Sequence, residues 1–323
     1  MFNYLKKWFL SIGGLEIVRG LNSKRIRILM YHRFCDSPSA FKLEQEVFNQ
    51  QIAFLKSSYN VMSLDLLCSS IREGIPLPKN VVSLTIDDGY ADCYYYAFPV
   101  LKKHGIIATV FLTTDFVDKN SWLWPDKIEY ILTHSIIKQF SVKMNDLKMD
   151  FDVSTFKGWH KAQVAIFDHC RRMSDQSKNE FIEMLSRKLG VEVPGEVTEE
   201  FTPLTWKQIK EMSTYGISFS SHTQSHAILS RLNRAAAENE ISGSKRIIEE
   251  KLSREVAAFC YPNGEMDDFS EETISIIRSC GYQCAATTIE GMNNIGGDLF
   301  RLKRIGIGNS SMPYFMKRLA FGH

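Results

Sequence analysis

The chain has 323 residues, enough to bury either one barrel-sized core or two smaller ones. Its 44% apolar and 24% charged residues are those of an ordinary soluble globular protein, and a net charge of +2 leaves no whole-protein case for nucleic-acid binding. Seven cysteines, an odd number without a small-domain framework, point to reduced thiols and an intracellular setting.

The first 25 residues read as a basic, amphipathic segment. Lys6 and Lys7 precede the apolar run Trp8-Phe9-Leu10, but Gly13-Gly14 breaks that run, Glu16 ends it, and no small-residue cleavage site follows. The run is also too short to span a bilayer. Lys6, Lys7, Arg19, Lys24, Arg25 and Arg27 lie among aromatic and aliphatic residues. That mixture suits either a segment lying on an anionic membrane surface or a first helix packed on the domain.

From residue 26 strands and helices alternate. Ile26 to Tyr31 reads as a strand ending at His32, and Phe41 to Ser57 as a helix. Tyr59 to Met62 is a short strand, Leu64 to Arg72 a helix, and Gly74 to Asn80 a proline-bearing loop. Val81 to Ile86 is a buried strand. Ala91 to His104 is helical with a kink or break at Pro99, and Ala108 to Thr113 is a strand. This order implies a parallel sheet or barrel. From about 118 to 200 the pattern changes to helices at 127–134 and 161–189, the second interrupted near Ser174, which reads as a helical insertion. Trp122 and Trp124 open it, where they serve either as packing residues or as stacking platforms for a sugar ring. Thr205 caps a helix from Trp206, and Ile217 to Ser221 is a strand. Arg231 to Leu252 is a helix, Ala257 to Cys260 a strand, Glu271 to Ser279 a helix, Ala285 to Thr288 a strand, and Phe300 to Ile307 the last strand. Cys280 and Cys284 lack redox or zinc spacing and fall in a helix-to-strand connection.

The strand Val81–Ile86 ends abruptly in Asp87-Asp88-Gly89. Neighbouring side chains of a strand point to opposite sides, so two adjacent aspartates at its end can do different jobs, one toward a metal and one toward water or substrate. Asp-Asp-Gly alone fits a turn and helix cap just as well. A second strand, however, runs into His222-Thr223-Gln224-Ser225-His226. Two histidines four apart share one side of a helical turn and can share a metal. Asp-His-His is a full protein ligand set for a catalytic divalent ion, with a position left open for water.

Thr85-Ile86-Asp87-Asp88-Gly89, the His222-to-His226 segment and Phe259-Cys260-Tyr261-Pro262-Asn263-Gly264 resemble the first three motifs of the polysaccharide deacetylase (NodB-homology) family, in order and in spacing. The resemblance runs from Ile26 to Ile307 and implies an α/β fold, an irregular (β/α) barrel over 26–323 with the site at the strands' C-terminal ends. It implies that Asp88, His222 and His226 hold a divalent metal, usually zinc, and that Asp87 is the base that activates water. The implied reaction removes the acetyl group of an N-acetylated sugar, with the backbone N–H of Asn263, after Tyr261-Pro262, facing the oxyanion. Two departures stand out. The third motif lacks the family's base-orienting arginine, for which Arg301 or Arg304 could substitute. The late histidine that supplies the general acid is missing, and His32 resembles the relocated acid of a subgroup with rearranged motifs.

The expected function is therefore a metal-dependent hydrolase acting on an N-acylated sugar, glycan or lipid-linked glycan, on the cytoplasmic side, with residues 1–25 either in peripheral contact with the inner membrane face or packed on the domain. A deformylase or esterase on a lipid-linked sugar is the nearest enzymatic alternative. A catalytically weak carbohydrate-binding barrel is the non-enzymatic one.

Overall fold

The computed structural model describes residues 12–39 and 41–323. The leading cluster with Lys6, Lys7 and the apolar run Trp8-Phe9-Leu10 lies outside the described residues. Twelve strands occur among the described residues: β1 (Arg27–Tyr31), β2 (Phe34–Cys35), β3 (Leu43–Glu44), β4 (Asn60–Val61), β5 (Val81–Ile86), β6 (Thr109–Leu112), β7 (Gln139–Met144), β8 (Leu147–Asp152), β9 (Ser218–Ser221), β10 (Ala258–Cys260), β11 (Cys284–Glu290) and β12 (Leu302–Gly306). In chain order β1, β5, β6, β9, β10, β11 and β12 lie side by side, all parallel, and β12 returns to β1 to close a barrel. No helix among the described residues is long and apolar enough to cross a membrane.

The two-residue period of the strands sorts their side chains. On β5, Val82, Leu84 and Ile86 face outward and join the large cluster packed under the surrounding helices. Val81, Ser83 and Thr85 take the other face, and Asp87 continues their phase to the barrel mouth. On β12, Leu302 joins Ile28, Phe111, Cys260 and Ala286 in the inner cluster, and Arg304 shares its parity. The helix Leu64–Glu73 closes the opposite end through Leu64, Leu67 and Cys68. Register sets the site: Tyr31 of β1 pairs with Ile86 of β5, and the Asp87 N–H donates to the Tyr31 carbonyl at 2.9 Å. His32 and Asp87 thus leave the barrel side by side.

Several elements differ from expectation. The helix expected from Phe41 begins at Gln45, after β3. At Pro99 the chain forms one wide π turn, Cys93–Ala97, followed by the helix Phe98–His104, with Pro99 in the first turn where its missing N–H costs nothing. A helix at Met312–Phe321, which the sequence pattern had not suggested, packs against Ile12–Leu21, where Ala320 and Met316 meet Leu15 and Val18. The segment between β6 and β9 is not purely helical. Beside the helices Trp124–His134, Phe156–Arg171 and Asp175–Leu189 it contains the antiparallel hairpin β7–β8. Asn145 and Asp146, both at positive φ, make its two-residue turn. Ser174 is the N-cap that separates the last two helices. These elements share an apolar core of their own, including Trp124, Ile131, Phe151, Ile166 and Leu185.

Candidate active site

Asp87 and Arg304 meet at the barrel mouth. Arg304 is fully buried and donates to both Asp87 oxygens at 2.7 Å, to Thr85 Oγ1 at 3.0 Å, to the Thr287 carbonyl at 2.7 Å and to Cys260 Sγ at 3.1 Å. Such a two-point pair orients a carboxylate as well as neutralising it. Burial pushes the Asp87 pKa up, but the charge and hydrogen bonds of Arg304, aided by His32 and His222, hold it well below the usual carboxylate range. Removing Arg304 would strand a buried charge, at a cost of about 3–5 kcal/mol. Of the two arginines offered as substitutes for the missing third-motif arginine, Arg304 is the one that meets Asp87. Arg301 does not: it pairs at the surface with Asp298 at 2.6 Å and with Glu271.

Asp88 diverges from its neighbour because the backbone turns. Its φ is 75°, and Gly89 follows at 94°, where a side chain would meet Leu112 Cδ2 at 2.9 Å. Asp88 Oδ1 lies 3.5 Å from Nε2 of His222 and 3.5 Å from Nε2 of His226. The two rings do not share a helical turn, as the spacing suggested. They sit on a loop in which Thr223 and His226 have φ of 67° and 60°. Glu240 accepts the N–H groups of Gln224 and Ser225, and Gly243 leaves room for the Gln224 amide, which an added Cβ would approach to 2.6 Å. The end of β6 joins the two motifs: the Thr113 N–H donates to the Asp88 carbonyl and the Thr114 N–H to the Thr223 carbonyl.

The three donor atoms of Asp88, His222 and His226 lie within 4.8 Å of one another, all on buried residues. His222 Nδ1–H donates to the Cys260 carbonyl at 2.8 Å, which leaves the Nε2 lone pair facing Asp88. Burial pushes His222 down to about 4 and His226 well below its ordinary value, so both rings are neutral at physiological pH, as ligands must be. Burial, reinforced by Asp87 and Asp126, pushes Asp88 well up, a penalty that a cation between these groups would relieve. The donor set fits a divalent metal by chemistry and by grouping.

His32 is half-exposed, with Nε2 3.7 Å from Asp87 Oδ2. Desolvation lowers its pKa, and Asp87 opposes that shift. Asn263, at φ 59°, lines the cleft, and among the described residues its backbone N–H donates to no protein acceptor. Tyr261 and Pro262 shape the turn that presents it: the Tyr261 ring is stacked on Phe269 and its hydroxyl donates to the Phe300 carbonyl, while the Pro262 carbonyl accepts from Gly264. Trp124 is a packing residue, 4% exposed against Phe167 and absent from the cleft wall.

The cleft measures about 400 Å³. One side is the barrel mouth. The other comes from the insertion, through Leu123, Pro125, Phe167, Asp168 and Arg171. None of these five was singled out from the sequence, since their placement depends on how the insertion folds back. Tyr90 was also missed. Its hydroxyl donates to both oxygens of buried Asp126, at 2.7 and 2.8 Å, and Arg33 lies 3.9 Å over its ring. The insertion thereby grips the residue two places after Asp88.

A parallel barrel that gathers charged and metal-ligating groups at the C-terminal ends of its strands belongs to a class that works at that mouth. Comparison with known proteins narrows the class. A family model for polysaccharide deacetylase matches residues 74–285, more than half of the chain. The chain is 22% identical to YxkH of Bacillus subtilis (strain 168), a protein described as a candidate polysaccharide deacetylase, over 88% of this chain and 71% of YxkH. Its fold resembles Streptococcus pyogenes deacetylase PplD, solved in complex with acetate, with a TM-score of 0.62 and 22% identity over 92% of this chain and 98% of PplD. It also resembles IcaB from Ammonifex degensii, with a TM-score of 0.60 and 18% identity over 92% of this chain and 97% of IcaB. At these identities the structural likenesses establish the (β/α) barrel. The chain belongs to the polysaccharide deacetylase family.

Proposed function

We propose that the protein is a metal-dependent hydrolase that removes an N-acyl group, acetyl foremost, from an amino sugar of a polysaccharide or glycan precursor. The observation that carries this reading is the juxtaposition of an ionised carboxylate, Asp87, locked by Arg304, with the three-donor cluster of Asp88, His222 and His226. A divalent cation held by those three residues, zinc foremost, would supply Lewis acidity, lowering the pKa of water and polarising the acyl oxygen so that a base as weak as Asp87 suffices.

The chain's own groups supply the rest. Asp87 accepts a proton from the water whose oxygen bonds to the acyl carbon. The Asn263 N–H faces the oxygen that gains charge, and one such donor is worth about 3 kcal/mol. As the carbon–nitrogen bond breaks, the departing amine needs a proton. We assign to His32, whose Nε2 lies 3.7 Å from Asp87 Oδ2, the transfer of that proton from the carboxylate to nitrogen. Atoms balance: the acyl group leaves as a carboxylic acid and the sugar as a free amine.

The test is release of acetate from an N-acetylated glucosamine oligosaccharide, with and without a chelator. Release that the chelator abolishes and zinc restores supports the reading. Release unaffected by complete metal removal contradicts it.

A further inference from the structure

The cleft holds the sugar being deacylated; it leaves open where the rest of a polymer lies. The wall residues Phe167 and Arg171 come from the last turn and a half of the helix Phe156–Arg171. Counting back from Arg171 in steps of three and four reaches Phe167, Gln163, His160 and Phe156, a single edge of that helix. The adjoining face, with Trp159, Ala162, Ile166 and Cys170, is buried in the insertion's core. The edge itself is open: Phe156 is 58% exposed, His160 is exposed, and Gln163 and Phe167 are half-buried. At 1.5 Å per residue it extends about 16 Å from Phe167 to Phe156, room for a few pyranose units.

The far end is braced. Phe41, from the loop between β2 and β3, packs on Phe156 with ring centroids 5.5 Å apart and on Trp159 at 4.8 Å. The Phe156 and His160 rings are parallel to within 7°, with centroids 6.1 Å apart. Single exposed aromatics are ordinary on protein surfaces. Aromatic rings set in helical register, braced from a second segment and continuous with a cleft, are not explained that way.

The geometry points to this edge as a track for the neighbouring sugar units of a polymeric substrate, an inference that rests on the deacetylase reading above. A pyranose presents a C–H face bounded by hydroxyls. Phe156 and Phe167 suit the face, while His160, Gln163 and Arg171 can hydrogen-bond the hydroxyls and acetamide oxygens. The insertion then decides that the substrate is a chain, and the barrel decides which bond is cut.

The test compares the wild type with the Phe156→Ala/His160→Ala double variant, both residues being exposed. Affinity for the N-acetylglucosamine dimer and pentamer is measured by calorimetry in an Asp87→Asn background, and acetate release in the otherwise unaltered enzyme. The track predicts that the pentamer binds about tenfold tighter than the dimer. The double variant loses that gain but binds and deacetylates the dimer as before. Equal affinity for dimer and pentamer in the Asp87→Asn protein, or a gain that survives when Phe156→Ala and His160→Ala are added to it, overturns the track. A gain that vanishes in the double variant, with no acetate released by the wild type, supports the track and contradicts the deacetylase reading instead.

Discussion

The two walls of the cleft are built on different principles. On the barrel side, Asp87, Asp88, His222, His226 and Arg304 are each less than a tenth exposed; Arg304 fixes Asp87, and the Cys260 carbonyl fixes the His222 ring. On the insertion side, Asp168 is exposed and Phe167 and Arg171 are half-buried, so the wall is open to water. Reaction needs charges held still in a dry site, whereas recognition needs accessible surface on a stable support. Under the proposed function, that contrast assigns chemistry to the barrel and choice of substrate to the insertion, which meet where Asp126 holds Tyr90, two residues beyond Asp88.

That division can be broken by substitution on either side. The largest effect belongs to the barrel: Asp87→Asn should lower turnover by about 10²–10⁴-fold, the span of general base catalysis, while bound metal is retained. A near-normal rate would remove Asp87 as the base. His32→Ala should reduce turnover of an amide by about a hundredfold and of an ester by less, because an alkoxide leaves more readily than an amide anion. Equal losses on both substrates would count against proton delivery by His32.

On the insertion side the expected losses are in stability. Trp124→Ala should cost about 3–5 kcal/mol in denaturant unfolding, with little change in kcat/KM on a short substrate. A raised KM with no loss of stability would return Trp124 to a sugar-stacking role. The smallest effect is a pH dependence. Burial pushes Asp126 up to about 7, with Arg33 and the Tyr90 hydrogen bond opposing. A folded-state pKa above the unfolded one contributes stability that is complete below the unfolded value and lost as pH rises through about 7. Asp126→Asn, which can still accept from Tyr90, should flatten that loss and raise Tm by a few degrees at pH 8 while changing little at pH 5. An unchanged pH profile of Tm would contradict it.

The barrel was far more legible in the sequence than the insertion. Most barrel strands announced themselves as short apolar or β-branched runs, β9 instead by the alternation of Ile217 and Phe219 with serines, and Asp87-Asp88 and the histidine pair stood at strand ends. The sequence left Arg301 and Arg304 as alternatives, yet strand parity separates them: Arg304 shares the inward phase of Leu302, while Arg301 precedes β12. The loop at His222–His226 was less accessible, since two non-glycine residues at positive φ, Thr223 and His226, carry no sequence signature. The hairpin β7–β8 was legible but overlooked. Phe140, Val142 and Met144 alternate with polar residues, and Asn145-Asp146 supplies the turn. What no local pattern contains is the packing of the insertion over the barrel mouth, because that depends on contacts such as Tyr90–Asp126, 36 residues apart.

Calorimetric titration of zinc into the apo wild type, Asp87→Asn and Asp88→Ala proteins tests the central claim most directly. The account predicts binding of one ion per chain to the wild type and to Asp87→Asn, and no measurable binding to Asp88→Ala. Binding of equal tightness to Asp88→Ala would contradict it.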